Sequence, residues 1–339
     1  MPSAGRSLLA VTMGEPSGIG GEIALKAWGM RHAVSTPFFI LDSPARLDAL
    51  ARETGIDSRI KEIANAEDAP DVFPHALPVL ALQHDVSAVP GHPDHANAPA
   101  VLESIDRAIA FIRSNTATAM VTNPIHKETL YVAGFDYPGH TEYLADKAGN
   151  GSSVMMIASD LLKVVPVTIH LPLAEALNRI DRKDILYCAR TVHAALRDYF
   201  GIVSPRLAIS GLNPHAGEGG HLGTQEIEII SPAIEELRRD GINVKGPLSA
   251  DAMFHEQARR TYDAAICMYH DQALIPAKTL AFENGVNVTL GLSIIRTSPD
   301  HGTALDLAGT GRANPASLIA ALNLAADMAA SKAARAAPA

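Results

Sequence analysis

Cysteine is nearly absent from this chain: there are two, Cys188 and Cys267, in 339 residues. Two thiols cannot build a disulfide scaffold or a cysteine-rich zinc site. Any transition metal would have to be held mostly by histidine. Long apolar runs are missing too, and nothing approaches the ~18–20 residues of a membrane-spanning helix. The N-terminal run Leu8–Met13 is shorter than a signal-peptide core of about 7–15 residues and is cut by Gly14-Glu15-Pro16, so a cytoplasmic location is expected. Cations are in deficit, 28 Lys plus Arg against 37 Asp plus Glu, a formal charge of -9. Such a surface repels a phosphate backbone and argues against nucleic-acid binding, while leaving room for a local basic pocket. There is no G-x-x-x-x-G-K-[ST] phosphate loop, no internal repeat and no low-complexity linker.

What is present is an ordinary globular balance, 47% hydrophobic and 19% charged. The length fits two domains or one large α/β unit. Short apolar runs (Leu8–Met13, Phe38–Leu41, Val79–Leu82, Ala119–Thr122, Val154–Ala158, Val164–Ile169, Leu207–Ser210, Ala264–Met268, Val286–Leu290) predict strands. Helical periodicity lies between them, over Ile19–Trp28, Pro44–Glu53, Pro99–Arg113, Lys183–Tyr199, Thr224–Arg239 and Pro315–Ala330. This alternation predicts an α/β fold with a mostly parallel sheet. Glu67–Pro99 reads as loop-heavy, and the tail 332–339 as a frayed end.

Histidine is plentiful, 14 in all. His170, His215 and His270 each sit at or just past the end of a predicted strand. Ligands of open α/β sheets bind outside the carboxyl ends of the strands. Three imidazoles there can form an open metal site, and imidazole suits Zn, Co or Ni better than Mg; the plain alternative is three capping or surface histidines. Gly14-Glu-Pro-Ser-Gly18-Ile-Gly20 follows a strand and opens a helix, but Gly18-x-Gly20 leads to Ile23, so the dinucleotide spacing fails. The turn is either an anion cradle or a tight strand-to-helix connection. Around Gly139, Thr141 can cap a helix running toward Ala148. The run Asn213–Thr224 holds enough glycine to let a loop approach a ligand closely. Lys278, Asn287 and Arg296 can clamp a phosphate or carboxylate, although a lone Lys and a lone Arg read first as solvated surface.

Taken in order, several motifs resemble one family. They are Gly14-Glu-Pro-Ser-Gly-Ile-Gly20, Thr122-Asn-Pro-Ile-His-Lys127, Gly139-His-Thr-Glu142, Asn213-Pro-His-Ala-Gly-Glu-Gly-Gly220, Tyr269-His-Asp-Gln272, Gly285-Val-Asn-Val-Thr-Leu-Gly291 and Arg296-Thr-Ser-Pro-Asp-His-Gly-Thr-Ala-Leu-Asp306. The family is 4-hydroxythreonine-4-phosphate dehydrogenase of pyridoxal phosphate biosynthesis, and the resemblance runs over nearly the whole chain. Glu15 and Ser17 replace the Asp and Ala of the family's commoner glycine motif.

The resemblance implies a two-lobe fold similar to isocitrate and isopropylmalate dehydrogenases, with residues 1–331 forming one catalytic unit of two lobes, the chain crossing between them and the active site in the cleft. It implies NAD or NADP bound without the dinucleotide fingerprint and a divalent metal (Zn, Co or Mg) on His170, His215 and His270. It also implies a homodimer sharing its active site, with His270 from the second subunit. The phosphorylated substrate, 4-(phosphooxy)-L-threonine, would be held by His140, Thr141, Lys278, Asn287 and Arg296. Oxidation would give a β-keto acid that decarboxylates to 3-amino-2-oxopropyl phosphate, with Asp251 or Asp271 as candidate proton acceptors. Related dehydrogenases of threonate or erythronate 4-phosphate, or of a dihydrodiol carboxylate, are alternatives. A metal-dependent hydrolase and a non-catalytic two-lobe binding protein are remoter ones.

Overall fold

The computed structural model describes residues 7–137 and 139–336, so Pro138, ahead of the Gly139 motif, lies outside the described residues. The chain divides into two compact units. The first is Met1–Ser153 with Leu292–Ala329, and the second is Val154–Gly291 with Ala330–Ala339. Among the described residues twelve strands are formed: β1 Leu9–Thr12, β2 Phe38–Asp42, β3 Ile60–Ile63, β4 Leu77–Ala81, β5 Ala119–Thr122, β6 Gly149–Ala158, β7 Lys163–Pro166, β8 Arg206–Ser210, β9 Asn243–Leu248, β10 Ala264–Cys267, β11 Val286–Leu292 and β12 Arg296–Pro299. The fold is mixed α/β with mostly parallel strand pairing.

In the first unit the strands run β3-β4-β2-β1-β5-β12, and each of these pairings is parallel. β1 and β2 are buried along their whole length. Strands covered on both faces read as continuous apolar runs, which is why they are legible without alternation. The helix Ala98–Arg113 buries Ala98, Val101, Ile105, Ala108 and Ile109, a stripe at three- and four-residue spacing. The helix Pro44–Thr54 is bounded by chemistry in the sequence. Ser43 accepts from Arg46 N, Pro44 takes the first helical position, and Gly55 closes the helix at φ 67°.

In the second unit β6 pairs antiparallel with β7, and β7-β10-β8-β9 are parallel. The helix Arg182–Asp198 covers them with Ile185, Ala189, Val192 and Leu196 buried, and Asp181 caps it by accepting from Lys183 N.

Several expectations are corrected. β3, β9 and β12 have no counterpart among the expected strands. Glu67–Pro99, read as loop-heavy, carries a short helix, Ala69–Val72, besides the strand expected there, β4. Gly139, not Thr141, is the N-cap of the helix His140–Ala148. The last helix runs through Ala336, so residues 332–336 are helical rather than frayed. Ala, Lys and Arg are strong helix formers, and Arg335 bonds the Arg197 carbonyl and pairs with Asp198. Among the described residues no helix is long and apolar enough to cross a membrane.

Candidate active site

The second unit carries the three histidines. β7, β10 and β8 are adjacent and parallel, so their carboxyl ends share one edge of the sheet. His170 follows β7, His270 follows β10 as the first residue of the helix His270–Ala281, and His215 follows β8. The rings of His170 and His270 are 6.2 Å apart between centroids. They line a cavity of about 260 Å³ together with Thr168, Leu173, Tyr269 and Asp271. The His270 Nδ1 lies 2.6 Å from Asp271 Oδ1. That contact directs the ring's other nitrogen outward, as carboxylates behind metal-binding histidines do.

His215 is held differently. Residues 215–220 all have φ between 43° and 99°, a left-handed run that includes the non-glycines His215, Ala216 and Glu218. Such backbone costs about 1–2 kcal/mol per non-glycine residue and needs fastening from outside. Glu226, 3% exposed, provides it: its carboxylate accepts from Leu212 N at 2.7 Å, Asn213 N at 2.8 Å and Asn213 Nδ2 at 2.9 Å. A Cβ on Gly217 would lie 2.7 Å from Glu226 Oε2, so that position must be glycine. Asp251 is exposed; a hydrogen bond from the Ser249 hydroxyl lowers its pKa, with His215 contributing. Among the described residues of a single chain, no group of three or more His, Cys, Asp or Glu side chains is arranged to hold a metal ion. Lys278 sits two turns along the helix from His270, beside the Phe282 ring. Asn287 lies on β11 with Oδ1 buried and without a hydrogen-bond partner.

The first unit gathers polar groups around the carboxyl ends of β1 and β5 and along β12, whose first residue is Arg296. Arg296, 5% exposed, points its guanidinium at the Thr122 hydroxyl, with Nε at 3.0 Å and Nη2 at 2.6 Å. Burial lowers its pKa to about 10, which leaves it charged at neutral pH. His140 opens its helix with Nε2 buried and unpartnered. Burial first, then the charges of Arg296 and Lys127, push its pKa well below the ordinary 6.5, so the ring is neutral. A Cβ on Gly139 would lie 2.9 Å from Lys127 Nζ, so the ammonium lies against that backbone. Thr141 is in the first turn, where helical N–H groups are unsatisfied. Thr12 Oγ1, Asn123 Oδ1, His126 Nδ1 and His301 Nε2 are likewise buried without partners. Buried orphans are rare in a folded chain, and a set of them at one sheet edge marks a polar ligand's place.

Arg296, His140 and Thr141 are therefore brought together in the first unit, and Lys127 joins them without having been assigned a role from sequence. Its signal was available: a His-Lys pair just beyond a strand end. The Gly14–Gly20 turn is a tight strand-to-helix connection with internal bonds. The N–H groups of Glu15, Ser17, Gly18 and Ile19 are spent on Pro124 O, Glu15 Oε1, Glu15 O and Thr303 O, so these four are not free for an anion. Gly14, at φ 71°, packs so closely that a Cβ would lie 2.7 Å from Asn123 Cβ and Pro124 O.

Comparison with known proteins gives a consistent picture. The profile of the family described as "Pyridoxal phosphate biosynthetic protein PdxA" matches residues 33–325. The chain is 52% identical over 337 residues to the 4-hydroxythreonine-4-phosphate dehydrogenase of Bradyrhizobium diazoefficiens, covering 96% of this chain and 97% of that one. It is 53% identical over 325 residues to the protein of that name from Methylorubrum populi, covering 94% and 93%. The crystal structure of 4-hydroxythreonine-4-phosphate dehydrogenase from Klebsiella pneumoniae matches with a TM-score of 0.86 at 34% identity, covering 96% of this chain and 99% of that one.

Proposed function

The chain belongs to the PdxA family of pyridoxal phosphate biosynthetic proteins, and from that premise we propose that it is a 4-hydroxythreonine-4-phosphate dehydrogenase. It oxidises 4-(phosphooxy)-L-threonine with NAD or NADP to a β-keto acid, which loses CO2 to give 3-amino-2-oxopropyl phosphate. The observation that carries the reading is the buried Arg296 beside a neutral His140 with an unsatisfied nitrogen. A guanidinium and a helix N-terminus suit the oxygens of a phosphate monoester. A dihydrodiol carboxylate lacks the phosphate for which Arg296 and Lys278 are suited.

The chain's own residues divide the work. Arg296, His140, Thr141, Lys278 and Asn287 bind the phosphate and so fix the carbon to be oxidised, an orientation effect. His170, His215 and His270 are the residues that would hold a divalent metal. Their donor chemistry fits: three imidazoles, one already braced by Asp271. When bound, the metal supplies Lewis acidity that lowers the pKa of the substrate hydroxyl, and the nicotinamide supplies the hydride acceptor. Asp251 and Asp271 remain the proposed proton acceptors. Asp271 bonds the His270 ring and Asp251 the Ser249 hydroxyl.

The proposal includes a homodimer that completes the site with His270 from the second subunit. Mixing His170→Ala chains with His270→Ala chains tests this. Restored activity supports the shared site; persistent inactivity places all three ligands within one chain. The activity itself is tested by following NAD(P)H at 340 nm with 4-(phosphooxy)-L-threonine, threonate 4-phosphate and a dihydrodiol carboxylate. Turnover of only the second or third replaces the substrate, and turnover of none removes the reading.

A further inference from the structure

The Tyr269-His-Asp-Gln272 motif contains a side chain that the reaction above does not use, Gln272, the third residue of the helix His270–Ala281. Its Oε1 accepts from Met268 N at 2.7 Å and from the Ser210 hydroxyl at 2.8 Å. Its Nε2 donates to the Gly211 carbonyl at 2.9 Å. The partners fix which way the amide faces. A backbone N–H only donates and a carbonyl only accepts, so the reverse orientation would set donor against donor and acceptor against acceptor.

A glutamine at the third helical position can reach back and cap its own helix, and the Met268 bond alone would be no more than that. The bonds to Ser210 and Gly211 go further, to chain 62 and 61 residues away. They start where the sheet stops. β10 and β8 pair as far as Ile266 and Ile209. Past that point the Gln272 amide stands between Met268 and Gly211 as a strand's peptide group would, accepting on one side and donating on the other. On the far side of β10, the Met268 carbonyl accepts from Thr168 Oγ1 at 2.8 Å and from Thr168 N at 3.2 Å.

A line of bonds, Thr168–Met268–Gln272–Gly211, therefore crosses the ends of β7, β10 and β8. Thr168 is two residues ahead of His170. Gly211 packs on the His215 turn, for a Cβ there would lie 2.9 Å from Ala216 Cα. We propose that Gln272 is a positioning residue that sets the separation of His170 and His215, its side chain continuing the sheet across the end of β10. The inference rests on reading those histidines as metal ligands.

The test compares the full-length wild type with Gln272→Met, which keeps the length but has no amide, and Gln272→Asn, which keeps the amide but is one methylene short. The readouts are Co2+ affinity by calorimetry and amide exchange of the metal-free chain. Both variants should bind Co2+ about tenfold more weakly, as expected when a group behind a metal ligand is lost. Exchange over 211–216 should accelerate at least about fivefold, with β8 itself, 206–209, exchanging at the wild-type rate. Co2+ affinity within about twofold of wild type in both variants overturns the proposal. So does acceleration spread evenly through β8 and β10, which makes Gln272 a general fold contact, and so does a Gln272→Asn chain that matches wild type. If Gln272→Met fails to fold, Gln272→Asn decides alone. Wild type that binds no Co2+ defeats the metal reading, while exchange over 211–216 still judges whether Gln272 holds these strand ends.

Discussion

Replacing Glu226 by alanine should release His215 without unfolding the chain. The carboxylate accepts two backbone N–H bonds and one from the Asn213 amide. Bonds to a charged acceptor are worth roughly 1.5–3 kcal/mol each, on the order of 5 kcal/mol together. They oppose three non-glycine residues in left-handed backbone, His215, Ala216 and Glu218. At about 1–2 kcal/mol apiece these cost on the order of 4 kcal/mol. The turn is thus held by a narrow margin. Without Glu226 it opens locally rather than leave the Leu212 and Asn213 N–H groups unmatched, the Asn213 amide keeping its bond to Gln225 Oε1 at 2.8 Å. The expected result is a fall of only about 1–2 kcal/mol in global unfolding free energy, because the strain is released along with the bonds. Amide exchange over residues 212–220 should accelerate at least about tenfold, and metal affinity should drop about 10–100-fold. Denaturant unfolding, exchange mass spectrometry and metal titration read these separately. Wild-type exchange over 212–220 in the Glu226→Ala chain would refute the balance described.

Arg296→Ala should raise KM for the phosphorylated substrate by roughly 30–200-fold, the loss of about 2–3 kcal/mol of charged hydrogen bonding; an unchanged KM removes it from the clamp. His215→Ala should lose metal and activity together while keeping the wild-type circular dichroism spectrum, and a fully metallated, active variant would sink that assignment. His140 gives a pH signature. Its folded pKa lies below the ordinary 6.5, so the unfolded chain takes up a proton that the folded chain refuses. Its contribution to stability is therefore lost as pH falls below about 6.5, and His140→Gln should flatten that part of the melting-temperature profile; an identical profile contradicts the buried, neutral ring.

The strands that could be read from sequence are those whose burial is uniform, such as β1, β2 and β5. β12 could not, and the reason is informative. Its residues Arg296, Thr297, Ser298 and Pro299 are polar or strand-averse, yet all four are buried. Thr297 bonds the Ala321 carbonyl and Arg296 bonds Thr122, so tertiary partners override propensity where the site is built. β3 was hidden by exposure of its Lys61 and Glu62 and β9 by its Gly246-Pro247. The helix His270–Ala281 was masked by Pro276 in its interior. The histidines at the ends of β7, β8 and β10 were visible as a pattern because strand ends are legible. Lys127, Gln272 and Glu226 were not assigned roles, because what distinguishes them is which distant backbone they touch.

The ladder joining β7, β10 and β8 also acts as a ruler for the chemistry beyond it. Ala265 stands opposite Val164, and Ala264 opposite Leu207. One residue of slippage in β7 or β8 would carry His170 or His215 about 3.3 Å along the strand direction and turn alternate side chains to the other face. A metal–nitrogen bond tolerates only a few tenths of an ångström. In the proposed site, the spacing of the two imidazoles that one chain contributes would therefore be written in the hydrogen bonds of the sheet, with β10 as the strand between them.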